Sequence, residues 1–318
     1  MTLVPAEGAL VDQILSASFP IWNEGLTREA YARWWRAQLA TSWGRANLRR
    51  VALVDGGRVL ASAKRYNFAA VLDGRAVRVL GIGAVFTQPE VRGQGHARMV
   101  VEQMVETGRR EGFDFALLFS EIGPAYYEQL GFEAIRTAEC DLEVSEKPGA
   151  PATLVRAGED RDLPALEAIG RDAAAPFRFH LVRGRDLIQY GIAKKRLLAG
   201  LGPHGRRELQ FFVSEEGTAA VAYVVLTAED GAWTIEECGD RDPSGARVGA
   251  ILQVLLAREP AAGRPRIRAR LPHGWTPPQV RRVNERAASE IMMMRALGSE
   301  PLPKLGPADL LYWQADVF

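Results

Sequence analysis

The stretch that most constrains this chain runs from Val79 to Phe132, and within it the turn Arg92-Gly-Gln-Gly95-His-Ala97. Before the turn, Val79-Leu-Gly-Ile-Gly-Ala-Val-Phe86 is an apolar run with three β-branched residues, which predicts a buried strand. Pro89 then interrupts ladder pairing. Beyond the turn, apolar residues at 97, 100, 101, 104 and 105 make a helical stripe that ends near Gly112. A strand therefore feeds a basic, glycine-containing turn that opens a helix. Such a turn offers unpaired backbone N–H groups and the positive end of the helix dipole to an anion. Gly93 and Gly95 carry no side chain to hold a phosphate off the backbone.

The elements on either side extend this pattern. Thr2-Leu-Val predicts a short strand, and Glu7 to Phe19 and Thr27 to Leu39 predict helices, the second opened by Thr27. Four of the seven tryptophans (22, 34, 35, 43) fall here, and core packing is the expectation for them ahead of walling an acceptor pocket. Val51 to Val54 and Val59 to Lys64, joined at Asp55-Gly-Gly, predict a hairpin, and Asp73-Gly turns the chain into the long strand. Phe113 to Phe119 predicts a second buried strand, parallel to the first through a right-handed crossover. Pro124 suits the first turn of a short helix that Gly131 stops, and Cys140-Asp-Leu-Glu-Val is expected to close the sheet.

Lys147-Pro-Gly-Ala-Pro151 predicts a linker, and after it the layout repeats. Thr153-Leu-Val echoes Thr2-Leu-Val, Phe211 to Val225 echoes the hairpin, and Ala232 to Glu237 stands in the place of the long strand. Val248 to Ala257 stands in the place of the central helix, with Ile267 to Leu271, Ile291 to Gly298 and Leu310 to Gln314 completing the echo. The second turn, Gly239-Asp-Arg-Asp-Pro-Ser-Gly245, is acidic and would repel a phosphate.

At 318 residues the chain has length for two domains of about 150 residues each. A net charge of +1 gives no argument for nucleic acid. No run approaches the roughly 20 apolar residues that span a bilayer. Cys140 and Cys238 suggest reduced thiols, and with no signal segment evident the expected location is cytoplasmic. The histidines at 96, 180, 204 and 273 match no metal-ligand spacing, so no metal is expected. A dinucleotide-binding turn would need a third small residue where Arg98 stands, and a P-loop would need Gly-Lys-Ser/Thr.

Arg92-Gly-Gln-Gly95-His-Ala97 resembles the R-x-x-G-x-G/A signature of the GNAT superfamily of acyl-CoA-dependent N-acetyltransferases. Pro89 and the segment Tyr127-Glu-Gln-Leu-Gly-Phe132, similar to the family's Y-E-x-L-G-F, support the resemblance over about residues 50 to 145. Val85-Phe-Thr and Ser120-Glu-Ile-Gly-Pro look closest to fungal lysine N-acetyltransferases. Enhanced-intracellular-survival proteins and mycothiol synthases are similar in tandem layout. The resemblance implies an α+β fold of two GNAT-like domains, each a mixed sheet with splayed strands flanked by helices. Residues 1–146 would be the catalytic domain and 152–318 a degenerate copy without a cofactor site.

The roles implied by the resemblance are specific. Acetyl-CoA is the expected cofactor and a small-molecule amine the acceptor. Val85 and Thr87 would meet the pantetheine amides, and the N–H of Phe86 would face the thioester oxygen. Arg92, Gly93, Gln94, Gly95, His96 and Ala97 would hold the pyrophosphate, and Ser120 stands where the cofactor is often hydrogen-bonded. Tyr127 is the expected general acid and Tyr126 a structural residue; Glu121 or the terminal carboxylate of Phe318 is the candidate base. The rival expectation is an acyl-CoA sensor that binds without turnover.

Overall fold

The computed structural model describes residues 1–146 and 153–318, so the linker expected at 147–151 lies outside the described residues. The chain forms two compact units. The first holds residues 1–136, 289–306 and 318; the second holds 137–288 and 307–317.

The first unit opens with β1 (Thr2–Pro5), α1 (Ala9–Trp22), α2 (Arg28–Ala40) and α3 (Ser42–Asn47). Thr27 caps α2 by accepting the Ala30 N–H at 3.2 Å, as its position before the helical stripe predicts. β2 (Leu48–Asp55), β3 (Arg58–Leu72) and β4 (Arg75–Thr87) follow as antiparallel neighbours. Their turns, Gly56-Gly57 and Asp73-Gly74, all have positive φ, the backbone that a tight hairpin with the native twist requires. α4 (His96–Arg110) carries the chain over to β5 (Phe115–Ser120), parallel to β4, before α5 (Ala125–Glu128) and β6 (Glu133–Ile135).

The stripe along α4 does what its spacing predicts. Val100, Val101, Met104 and Val105 pack on Leu80, Ile82, Ala116 and Leu118 of the sheet. Burying each such side chain contributes about 1.5–3 kcal/mol. On the opposite face, Ile14 of α1 packs with Ala52 and Val59. Strand alternation thus divides β2 and β3 between two faces, one under α4 and one toward α1.

The second unit contains β7 (Ala138–Val144), β8 (Val155–Ala157), α6 (Leu163–Ala174), β9 (Phe179–Leu181) and α7 (Arg185–Leu201). It continues with β10 (Arg207–Glu216), β11 (Ala219–Glu229), β12 (Ala232–Asp240), α8 (Ala246–Leu256), β13 (Arg266–Ala269) and β14 (Val280–Ala287). Its strand order is β14-β7-β13-β12-β11-β10-β8. β15 (Ile291–Ala296) then returns to the first unit, whose order is β1-β2-β3-β4-β5-β15-β6, and β16 (Leu310–Leu311) pairs parallel with β9.

Two strands therefore differ from the expected assignment. Cys140–Val144, expected to close the first sheet, pairs with β13 and β14 in the second. Ile291–Gly298, expected to complete the second copy, supplies the strand between β5 and β6 of the first. Met292, Met293 and Met294 are buried there. An apolar run states that a strand is buried but not which sheet receives it. α3, α7, β6, β9 and β14 have no counterpart among the elements expected from the sequence. Cys140 and Cys238 are free and buried. Among the described residues, no helix is long and apolar enough to cross a membrane.

Candidate active site

The site is built where β4 and β5 part. Their ladder runs from Val79↔Phe115 to Gly81↔Leu117, yet β4 continues to Thr87 and β5 to Ser120. A break in the β3–β4 register falls between Ser62↔Phe86 and Lys64↔Gly83. Ala84 lies in this bulge with φ of +46°, a left-handed backbone that L-residues adopt at a cost of about 1–2 kcal/mol. A bulge turns the strand and re-aims the groups that follow it. Here those groups are Val85, Phe86 and Thr87.

Beyond a single 3-10 turn at Pro89–Val91, Gly93 and Gly95 take φ of +79° and +80°, and Gly95 sits at the N-cap of α4. A side chain there would meet no neighbour, so the need for glycine is conformational. No side chain caps α4, which leaves its first N–H groups free of intrahelical partners. They border a cavity of about 500 Å³ lined by Val85, Phe86, Thr87, Gly93, Gly95 and Ala97. Arg92, His96 and Tyr127 line it as well. His96 is 6% exposed, and its Nδ1 has no hydrogen-bond partner.

Tyr127 is held by α5 and Gly131, whose φ of +74° ends the helix and lets the Phe132 N–H reach the Tyr127 carbonyl at 3.1 Å. Its ring meets Phe132 edge-on at 6.1 Å and Tyr126 at 5.0 Å. Burial pushes the Tyr127 phenol up to about 12, with Tyr126 adding to the shift. A phenol so placed stays protonated across the neutral range and can give a proton to a thiolate of pKa about 8.5.

The structure gathers nine of the sequence-predicted residues around one cavity: Val85, Phe86, Thr87, Arg92, Gly93, Gly95, His96, Ala97 and Tyr127. Gln94 and Glu121 are exposed and outside the lining. Ser120 is buried, and its hydroxyl donates to the Gly123 carbonyl at 2.7 Å, which closes the loop after β5. Tyr126, expected to be structural, borders the cavity too. Ile21, Trp22, Arg98 and Ile122 complete the lining; Trp22 was expected in the core ahead of a pocket wall, and nothing in the sequence marks Ile21, Arg98 or Ile122 as lining residues. Trp22 stands edge-on to Phe86 at 6.1 Å, whereas Trp34, Trp35 and Trp43 are buried.

Phe318 lies elsewhere in the first unit. Its ring packs on Tyr66 at 4.6 Å, Phe68 at 5.1 Å and Phe119 at 5.3 Å. Its carboxyl group lies against Gly83: a Cβ there would stand 3.1 Å from the Phe318 oxygen and 3.3 Å from its carboxyl carbon. Gly81 and Gly83 are therefore the floor on which the chain terminus rests, directly before the bulge.

The matching turn of the second unit is built differently. Asp240 accepts the N–H groups of Asp242 at 2.9 Å and Arg247 at 2.8 Å, and Asp242 accepts that of Ser244 at 3.0 Å. Trp275 donates to the Pro243 carbonyl at 2.9 Å and lies over Gly245, the N-cap of α8. The chain's own carboxylates thus occupy the donors that an external anion would use.

Residues 11–135 match the model of the acetyltransferase (GNAT) domain. No curated protein matches the chain in sequence. Among solved structures it is similar to a GCN5-related N-acetyltransferase from Anabaena variabilis, with a TM-score of 0.69 at 12% identity over 93% of this chain and 73% of that one. A GCN5-related N-acetyltransferase from Kribbella flavida gives 0.67 at 19% identity, over 93% and 70%. Eis1 from Mycobacterium abscessus gives 0.54 at 14% identity, over 93% and 74%. At these identities the likeness is one of fold.

Proposed function

We propose, from the match of residues 11–135 to the acetyltransferase (GNAT) domain model, that the chain is an acetyl-CoA-dependent N-acetyltransferase acting on a small primary amine by direct attack in a ternary complex. The observation that carries this reading is the convergence, on one cavity, of the β4 bulge, the uncapped start of α4 and the Tyr127 phenol. Acetyl-CoA supplies an activated acetyl thioester. The free edges of β4 and β5 past Gly81 are open to an added extended segment. The N–H groups around Phe86 are donors for an oxygen gaining negative charge. The backbone from Gly93 to Ala97, with Arg92 and the start of α4, suits a pyrophosphate.

An ammonium of pKa about 10 must lose a proton before it attacks. Neither Glu121 nor Phe318 lines the cavity, and the base this reading favours is the Phe318 carboxylate, because it rests on Gly83, two residues before Val85 on the strand that does. Tyr127 returns a proton to the departing thiolate. We further propose that the second unit holds no cofactor, since Asp240 and Asp242 already use the N–H groups of its turn.

A thiol-release assay over a panel of amines tests the reading. At least one amine is expected to be acetylated, and Tyr127→Phe is expected to lower kcat at least about tenfold with CoA affinity retained. CoA binding without turnover on any amine would instead identify a sensor.

A further inference from the structure

The face of the sheet turned away from α4 carries three buried polar side chains with atoms left unpartnered among the described residues. Arg50 of β2 is 3% exposed, Ser62 of β3 0% and Tyr66 of β3 1%. Among the described residues, the Nε and Nη1 atoms of Arg50, the Ser62 hydroxyl and the Tyr66 hydroxyl lack a hydrogen-bond partner. Buried donors are almost always paired in folded proteins, so three orphans in one place call for a ligand or water.

They are in one place by register. Arg50 pairs with Lys64, and Ser62 and Tyr66 are the residues two before and two after Lys64 on the same face of β3. The Arg50 guanidinium lies over the Trp35 ring, 4.5 Å from its centroid, and bonds the Tyr31 phenol. The groups acting electrostatically on Arg50 are Tyr31 and Tyr66, and no carboxylate is among them. A buried cation without a counter-ion is costly, and an incoming anion would relieve that cost.

The same register ties this cluster to the reacting end of the site. Lys64 pairs with Gly83, against which the Phe318 carboxyl group rests. Tyr66 touches both ends, since its Cε2 would stand 3.2 Å from a Cβ at Gly83. Two strand spacings separate Gly83 from Arg50, about 10 Å. The side chain of Arg50 covers part of that span.

We propose that Arg50, with Ser62 and Tyr66, is an anion subsite that holds a carboxylate of the acceptor, whose amine, a few methylenes away, lies at the Phe318 terminus. The acceptor class is then an amine bearing a carboxylate, such as an ω-amino acid, and a plain alkylamine or polyamine is disfavoured. This rests on the acetyltransferase reading above. The unpartnered Nε–H and Nη1–H lie on different edges of the guanidinium, so each offers a single charge-assisted N–H bond, and the hydroxyls supply further donors.

The test compares ω-amino acids with alkylamines of the same length in the thiol-release assay, using the full chain. The wild type is expected to favour the carboxylate-bearing series by about thirtyfold or more in kcat/KM. Arg50→Gln is expected to shrink that preference to about threefold or less, mostly through KM, with CoA affinity by calorimetry unchanged. Arg50→Lys, which keeps the charge without the planar set of N–H donors, recovers part of it. Equal kcat/KM for the two series in the wild type, or a preference that survives Arg50→Gln, overturns the subsite and leaves buried water as the partner; the acetyltransferase reading survives that result. If CoA binds but no amine in either series is turned over, the acetyltransferase reading fails instead. Calorimetry of the wild type with CoA then decides the subsite, using an ω-acetamido carboxylate and the neutral N-alkylacetamide of equal length. At least about tenfold tighter binding of the carboxylate supports it, and anything less overturns it.

Discussion

At the scale of single residues, Tyr127 couples chemistry to stability. Its phenol, normally near 10, is pushed up to about 12 because the ring is buried beneath α5 and beside Tyr126. The folded state therefore favours the protonated form. That contribution is complete below about pH 10 and is lost as pH rises toward 12. Urea unfolding across this range is expected to show a steeper alkaline loss in the wild type than in Tyr127→Phe; parallel curves would contradict the burial argument. Phe318 poses a separate question at the same scale. Its ring fills the space among Tyr66, Phe68 and Phe119, while its carboxyl group lies on Gly83. Deleting Phe318 removes both, whereas amidating the terminus by semisynthesis removes only the charge. If the carboxylate is the base, the amide is expected to lose at least about tenfold in kcat near neutral pH with its thermal midpoint unchanged.

At the scale of elements, β4 is the strand on which the site depends. Its bulge at Ala84 holds a non-glycine residue at φ of +46°, and this is what turns Val85, Phe86 and Thr87 toward the cavity. Ala84→Val adds a β-branched side chain where the left-handed backbone tolerates it least. The expected cost is about 1–2 kcal/mol in denaturant unfolding, with a fall in CoA affinity if the N–H groups lose their aim. This bulge left no mark in the sequence, since Gly81-Ile-Gly-Ala-Val reads as an ordinary apolar strand. The turn after it was legible because glycine is required at positive φ, and Gly93 and Gly95 have it. Tyr127 was legible only through the resemblance of Tyr127-Glu-Gln-Leu-Gly-Phe132 to the family's Y-E-x-L-G-F segment. Trp22 and Ile122 were not, because an aromatic or an isoleucine on a helix or loop has no spacing that separates core from cavity wall.

At the scale of the whole molecule, the two units exchange strands. β15 fills the slot between β5 and β6, and β6 is a strand of three residues that pairs with β15. Without Ile291–Ala296 the first unit would expose the edge of β5 and leave Met293 out of the core it shares with Leu118 and Tyr127. A fragment of residues 1–146 is therefore expected to lack cooperative melting and to bind dyes for exposed apolar surface, in contrast to the full chain. A sharp, two-state melt of that fragment would show that β15 is dispensable.

Local chemistry thus determined much from the sequence by itself: the hairpin turns, the cap at Thr27, the stripe of α4 and the glycine turn that opens it. Each depends on backbone preferences or periodicities that act over a few residues. The tertiary structure decided what depends on distant partners. It assigned Cys140–Val144 and Ile291–Ala296 to their sheets, brought Phe318 to Gly83, and set Arg50 beside Ser62 and Tyr66 on a buried face. Pairing between strands is settled by which edges and apolar faces remain to be covered once the rest has packed, and that competition is not written in any one segment.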